Sequence, residues 1–134
     1  MKRKTHAALA LATLLCACGP SEPCPRDEAL IDRFVTDEAS FEKLLKNPDD
    51  AELRSRLKIR NVYRNAGPIL FTTWEHDFVG PGGVLKGYTF IEEEPGTLVE
   101  SIDDNSEPGS AEDKRLYRRI KPEGHWYLFY SSNN

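Results

Sequence analysis

The spacing of apolar residues changes near the middle of the chain, from a helical period to an alternating one. Between residues 27 and 48, apolar side chains recur every three or four positions, as in a helix that buries one face. They are Leu30, Ile31, Phe34, Val35, Phe41, Leu44 and Leu45. Asp27 is a candidate N-cap, and Thr36-Asp37 can interrupt or recap the helix. Asn47-Pro48 ends it, because proline pushes the preceding residue out of helical geometry.

Residues 50–66 fit two patterns. One set of positions alternates as in a strand, namely Leu57, Ile59, Asn61 and Tyr63. A second set falls at helical spacing, namely Ile59, Val62, Tyr63 and Ala66. The ends favour the helix, because Asp49-Asp50 supplies an N-cap and Gly67-Pro68 is typical of a helix C-terminus. We therefore predict a second helix over this stretch.

From Ile69 onward the period is two, which is typical of strands. Residues 69–79 and 84–92 flank a glycine-rich turn and predict a hairpin, and residues 115–121 and 125–132 predict another. The polar, acidic stretch 95–110 between the hairpins reads as a loop with one apolar anchor at Leu98-Val99. The sum is an α+β fold, with two N-terminal helices packed on an antiparallel sheet of about four strands.

The first 18 residues have the order of a secretory signal peptide: a basic start at residues 2–4, an apolar run over residues 7–15, and small residues at the end. Leu15-Cys16-Ala17-Cys18 resembles the lipobox of bacterial lipoprotein precursors. The resemblance implies that residues 1–17 are removed and that Cys18 is acylated as the first residue of the mature chain. An ordinary secretory signal, in which the cysteines are incidental, is the alternative.

The same resemblance implies a location. Gly19, rather than aspartate, after the lipidated cysteine is compatible with transfer to the outer membrane, facing the periplasm. Residues 18–26 then form a lipidated tether, and residues 27–134 form a single domain. Three prolines in residues 19–26 predict an extended spacer that holds the domain about 20–30 Å from the membrane. Cys24 lies in this spacer and is predicted to be an exposed, unpaired thiol.

Charge and composition narrow the functional classes. Cleavage before Cys18 removes three basic residues and no acidic one, so the net charge falls from −4 to −7. An acidic protein is a poor nucleic-acid binder, which argues against that class. Hydrophobic residues at 39% and charged residues at 30% are ordinary for a folded domain, so we expect a folded rather than a disordered chain.

Trp74-Glu75-His76-Asp77 is the only place where a histidine and two carboxylates cluster in the sequence. On a strand, Glu75 and Asp77 share one face while His76 lies on the other with Trp74. A metal site would need a bend there, so we predict no catalytic residue, no metal and no cofactor. A small hydrolase or metal-dependent enzyme that uses this cluster with a carboxylate of the acidic loop is one alternative. A carrier of a small ligand is another.

The final strand carries aromatic side chains on both faces. Such a strand is either buried on both sides or leaves one face for a partner. Two helices cover both faces of a sheet with difficulty, which makes an exposed aromatic face plausible, and burial on both sides is an equally supported alternative. The candidate partner-binding residues are Trp126, Tyr127, Tyr130, Arg118 and Arg119. With the lipobox, this pattern favours a non-enzymatic envelope lipoprotein that binds another protein, as an inhibitor or an immunity protein does.

A further likeness covers the C-terminal third to half of the chain. Four short segments together are similar to a set of small uncharacterised bacterial proteins. They are Lys86-Gly87-Tyr88, Leu98 to Asp103, Tyr117-Arg118-Arg119-Ile120 and Trp126-Tyr127-Leu128. This resemblance implies no function.

Overall fold

A computed structural model describes residues 22–64, 67–77, 82–103 and 114–133. Within these ranges, three helices precede a five-stranded antiparallel sheet. They are α1 (Asp27–Thr36), α2 (Glu38–Lys46), α3 (Ala51–Arg56), β1 (Asn61–Tyr63), β2 (Leu70–Asp77), β3 (Gly83–Phe90), β4 (Lys114–Arg119) and β5 (Trp126–Asn133), with the strands in the order β1-β2-β3-β5-β4. The predicted α+β class with an antiparallel sheet is confirmed, whereas the expected two helices and about four strands are too few.

The break between α1 and α2 falls at Asp37, inside the predicted interruption. Asp37 leaves helical geometry at φ −136° and ψ 43°. Its N–H still donates to the carbonyls of Arg33 and Phe34, and its carboxylate accepts a 2.6 Å hydrogen bond from the Ser40 hydroxyl. Asp37 therefore closes one helix and starts the next, so that both helices can turn their apolar faces to the sheet.

The predicted helix over residues 50–66 is wrong beyond Arg56. Asp50 does cap α3, since its side chain accepts from the N–H groups of Glu52 and Leu53. The helix ends at Arg56, and two residues later Lys58 adopts a left-handed φ of 57°. The N–H of Ile59 donates back to the Arg54 carbonyl at 2.8 Å, which closes the helix with the hydrogen bond of a Schellman motif.

The residues after this helix end form β1 instead of a longer helix. The N–H of Arg60 donates to the Thr72 carbonyl at 2.7 Å, and Asn61 and Tyr63 then pair with Thr72 and Leu70. This pairing gives the backbone of β2 a partner along its outer edge, which a helix over the same residues would leave open. Tertiary pairing thus outweighs the local helix signals in residues 57–66.

Both predicted hairpins are confirmed where they are described. In the first, β2 pairs with β3 through a bulge between Thr72 and Trp74. A Cβ at Gly87 would overlap the Phe71 carbonyl oxygen, so this close approach requires glycine. The second hairpin joins β4 to β5, and residues 104–113 and 78–81 lie outside the described part of the chain.

The loop after β3 is anchored mainly by a residue that the sequence did not single out. Leu98 forms a parallel bridge with Tyr117, but its side chain is 36% exposed. Val99 donates to the Tyr117 carbonyl at 2.8 Å. Ile102, by contrast, is fully buried in the core and fixes the end of the loop beneath α1.

Of the two alternatives for the last strand, burial on both sides is confirmed and the exposed aromatic patch is wrong. Trp126, Tyr127 and Tyr130 are only 5%, 1% and 2% exposed, because β5 lies between β3 and β4. The Trp126 ring packs 5.4 Å from Phe34 under the helices. On the other face, Tyr127 is covered by the Arg119 guanidinium, which lies 5.4 Å from the ring centre.

No helix in the described ranges is both long enough and apolar enough to cross a bilayer.

Candidate functional site

Lys86 on β3 has a fully buried side chain, although lysine is normally exposed. Its ammonium lies 2.8 Å from Oδ1 of Asp27 and 3.1 Å from Oδ1 of Asp103. It also donates a 2.7 Å hydrogen bond to the Pro25 carbonyl. Of the three donors of the ammonium, two form hydrogen bonds to Pro25 and Asp103, and Asp27 balances the charge as an ion pair. The charge is therefore balanced inside the protein.

Asp27, the first residue of α1, is also fully buried. Its Oδ2 accepts hydrogen bonds from the N–H of Ile102 at 2.7 Å and from Nη1 of Arg118 at 3.0 Å. Its Oδ1 faces the Lys86 ammonium as an ion pair that lacks the directed geometry of a hydrogen bond. Burial alone would raise the pKa of Asp27, but its contacts with Lys86, Ile102 and Arg118 outweigh burial and lower the pKa.

Asp103 closes the N-terminus of α1. Its two carboxylate oxygens accept from the N–H of Asp27 at 3.1 and 3.2 Å, where the positive end of the helix dipole favours a negative charge. The expected N-cap role of Asp27 is thus wrong. Arg26 occupies the N-cap position without a side-chain cap, and the capping carboxylate comes from a distant loop.

Together Asp27, Lys86, Asp103 and Arg118 form what we call the buried network. It joins α1, β3, β4 and the segment after β3 that contains Asp103. Its two negative and two positive charges cancel. This arrangement is that of a structural clamp, in which each charge depends on the others for compensation.

The predicted free spacer is wrong for its described half, residues 22–26. The indole N–H of Trp74 donates to the Glu22 carbonyl at 2.9 Å, and Lys86 holds the Pro25 carbonyl. Cys24 is a free cysteine but is partly buried rather than exposed. Burial raises the pKa of its thiol, and the opposing charge of Lys86 does not reverse that shift. A protonated, half-buried thiol is a poor nucleophile.

The cluster at residues 75–77 splits between the two faces of β2, as expected. Glu75 accepts hydrogen bonds from Asn61 at 2.7 Å, Tyr63 at 3.1 Å and Thr72 at 2.6 Å. Burial would raise the pKa of Glu75, but these hydrogen bonds lower it. Glu75 is therefore a braced carboxylate, in an environment that does not suit a general acid.

His76 lies on the other face of β2, stacked on Trp74 with ring centres 6.0 Å apart and an interplanar angle of 10°. In the described ranges, no group of three His, Cys, Asp or Glu side chains could hold a metal ion. The geometry thus gives no support to the enzyme alternative at this cluster.

A cavity of about 470 Å³ lies between residues 22–25, the last turn of α1, the segment after α3 and the middle of β2. Three basic side chains line it: Arg33 from α1, Lys58 from the helix end, and Arg60 from the approach to β1. Ile59 and Trp74 supply apolar surface, and Glu22 is the only carboxylate among the described residues of the lining. We call it the basic cavity. Its cations come from separate segments, so no sequence signal pointed to it.

The predicted partner-binding residues do not form one surface. Trp126, Tyr127 and Tyr130 lie in the core, where the Trp126 indole N–H donates to Glu42 at 3.0 Å. Arg118 and Arg119 do lie together, beside a shallow cavity of about 360 Å³ along β4. The other residues that line this cavity are Leu98, Val99 and Glu100.

The two arginines differ in their availability. Arg118 points inward to Asp27, with Glu28 3.6 Å away on its other side. Arg119 lies on the opposite face, 31% exposed, with Glu94 at 2.9 Å. Arg119 is thus the most exposed of the five predicted residues, and a partner carboxylate would have to compete with Glu94 for its charge.

The buried network was missed because its members are far apart in the sequence. One signal was present: Lys86 takes an inward position on a strand in which Val84 and Tyr88 also face the core. A lysine in such a register needs a buried partner, and Asp27 and Asp103 provide it. Cys18 lies outside the described residues.

No family model matches the chain, and no curated protein and no solved structure matches it.

Proposed function

We propose that this chain is a cell-envelope lipoprotein that binds another envelope protein without catalysing a reaction. It is anchored through an acylated Cys18 in the outer membrane and faces the periplasm, where an inhibitor or immunity protein would act. The basic, apolar and small segments that lead to Cys18 support the anchor. Several acyl chains, each contributing about 0.8 kcal/mol per buried methylene, would make the attachment effectively permanent.

One observation carries the binding role, namely the surface along β4. β4 is an edge strand, and beside it Leu98 presents 36% of its side chain to solvent. Arg119 is partly exposed next to the same cavity. An exposed apolar residue beside an arginine at a sheet edge resembles the centre of many protein interfaces, where arginine is enriched. The partner would offer a carboxylate to Arg119 and an apolar side chain to Leu98.

Site-specific photo-crosslinking in living cells tests this role. Leu98 is replaced by a photoreactive phenylalanine analogue in the full lipoprotein, and Val35, which is 58% exposed on α1, serves as the matched control position. We expect one discrete crosslinked product from position 98 and none from position 35.

The same experiment with Arg119→Glu tests whether the crosslink from position 98 depends on the positive charge beside it. Reversal of this charge should lower the crosslink yield at least about fivefold, the loss expected when an interface charge worth about 1 kcal/mol is reversed. Arg56→Glu, on an exposed arginine of α3, should leave the yield unchanged. Equal yields from positions 98 and 35, or a yield insensitive to Arg119→Glu, would refute a binding surface at β4.

A further inference from the structure

The chain leaves the membrane anchor close to the folded domain. Glu22 and Pro25 are fixed to the domain by hydrogen bonds from Trp74 and Lys86. Cys18 lies only four residues before Glu22, and a fully extended chain spans at most about 14 Å over that interval. If Cys18 is acylated, the surface around Glu22 must therefore stay within about 14 Å of the lipid headgroups.

The basic cavity lies on this surface. Glu22, Pro23 and Pro25 form one of its walls, and Arg33, Lys58 and Arg60 line the remainder together with Lys58's neighbour Ile59 and residues 73–74. Its volume of about 470 Å³ is in the range of small-ligand sites. Access and size thus suit a headgroup or another small molecule.

The cations of this cavity have no carboxylate within ion-pair distance in the described part of the chain, although Arg60 lies near enough to Glu75 to help lower the pKa of that carboxyl. None of the three basic side chains forms an ion pair with a carboxylate there, whereas Lys86 and Arg118 do. Arg33 lies near the hydroxyl of Tyr88, whose pKa it lowers, although burial raises that pKa overall. Among the described residues that line the cavity, Glu22 supplies the one negative charge against three positive ones, and Glu75 outside the lining offsets part of the Arg60 charge.

From this charge and this placement we propose that the basic cavity binds the phosphate of a membrane lipid headgroup. The proposal rests on the proposed function, which puts the anchor at Cys18. A guanidinium group can donate two parallel hydrogen bonds to two phosphate oxygens, and a lysine ammonium adds a compact positive charge. The domain would then lie against the bilayer in one orientation, with the β4 surface left for a protein partner.

The net negative charge of the protein does not oppose this binding. At physiological ionic strength the Debye length is about 8 Å, so acidic residues beyond that distance from the membrane are largely screened. Local cations close to the bilayer decide the interaction, each contributing about a fivefold gain in affinity for an anionic surface. The affinity for the membrane therefore depends on where the cations lie and not on the net charge of the protein.

Vesicle co-sedimentation tests the proposal on the chain from residue 18 onward, carrying Cys18→Ser so that no acyl chain contributes. This chain keeps every described residue and contact. At about 0.15 M salt, it should bind phosphatidylglycerol vesicles more tightly than phosphatidylcholine vesicles. The triple variant Arg33→Gln, Lys58→Gln and Arg60→Gln should lower the affinity for phosphatidylglycerol about a hundredfold.

A charge-matched triple variant is the control: Lys46→Gln, Arg56→Gln and Arg115→Gln remove the same charge from exposed positions elsewhere. It should keep the wild-type affinity. Thermal unfolding of each variant checks the fold. If the first triple variant does not fold, the double variant Lys58→Gly and Arg60→Gln replaces it, since glycine suits the left-handed backbone of Lys58, and about a 25-fold loss is expected.

The outcomes separate cleanly. An equal loss in both triple variants, or no binding of the unaltered cavity to phosphatidylglycerol, overturns the proposal. Binding of inorganic phosphate, detected by calorimetry and lost in the cavity variant, without binding to vesicles would assign the site to a soluble phosphate and overturn the lipid. Acylation of Cys18 is measured independently, so failure of the anchor and failure of the cavity are distinguishable.

Discussion

Residues 22–26 contact two groups of charged side chains that obey opposite rules. In the buried network, each cation faces a carboxylate, because a charge removed from water must be compensated nearby. In the basic cavity, Arg33, Lys58 and Arg60 form no ion pair with a described carboxylate, and Arg60 acts on Glu75 only at longer range. Lys58 and Arg60 are exposed to solvent, and Arg33 is half-buried. The charges of the buried network pair with one another and stabilise the fold, whereas the cations of the basic cavity can still bind a ligand.

Replacing one lysine from each group should give the largest contrast. Lys86→Met leaves Asp27 and Asp103 without their common cation, and we expect the free energy of unfolding to fall by about 3–5 kcal/mol. Lys58→Met makes the same chemical change in the basic cavity and should alter the free energy of unfolding by less than about 0.5 kcal/mol. Urea unfolding of both variants measures the difference. A cost below about 1 kcal/mol for Lys86→Met would show that the buried network is not a clamp.

Acid should weaken the buried network and spare the basic cavity. The pKa of Asp27 is lower in the folded protein than its ordinary value near 3.8. The charged form is thus favoured by folding, and its contribution to stability is present above that ordinary value and lost as the pH falls through the folded-state pKa. Circular dichroism during acid titration should show unfolding at the acid end of this window.

A variant from each group sharpens this prediction. Arg118→Gln removes one of the contacts that lower the pKa of Asp27, so acid unfolding should begin at a higher pH than in the wild type. Lys58→Met should leave the pH at which acid unfolding begins unchanged from that of the wild type. A shift of equal size in both variants would contradict the separation of the two groups.

The smallest expected effect concerns the backbone beneath the basic cavity. Lys58 adopts a left-handed φ of 57°, which costs a residue with a side chain about 1–2 kcal/mol. Lys58→Gly removes that cost and adds chain entropy to the unfolded state, so the free energy of unfolding should rise by up to about 1 kcal/mol. Lys58→Met keeps the strain and should not show this gain. Destabilisation of more than about 1 kcal/mol by Lys58→Gly would contradict the assigned helix end.

Local patterns predicted the elements whose signals lie within a few residues. The break at Asp37 and the two hairpins follow from spacing, proline and glycine. The helix predicted beyond Arg56 was wrong, because the helix signals at Gly67-Pro68 are local. The pairing of β1 with β2 depends on residues further along the chain. A three-residue strand carries too little periodicity to compete with such signals.

The sites were harder to predict, for a related physical reason. Trp126 and Tyr130 looked available because an alternating aromatic strand is the same in sequence whether it is central or at an edge. Only the sheet order, which places β5 between β3 and β4, decides their burial. The basic cavity likewise arises from three segments that meet in space, so composition and overall charge could not reveal it.

The central claim is that the chain is fixed to a lipid bilayer through Cys18, with the domain held close by residues 22–26. Intact-mass spectrometry of the protein extracted from cell envelopes tests it most directly. The account predicts a chain that begins at Cys18 and carries the added mass of acyl groups on that residue. A chain with an unmodified Cys18 thiol, recovered free in the periplasm, would contradict it.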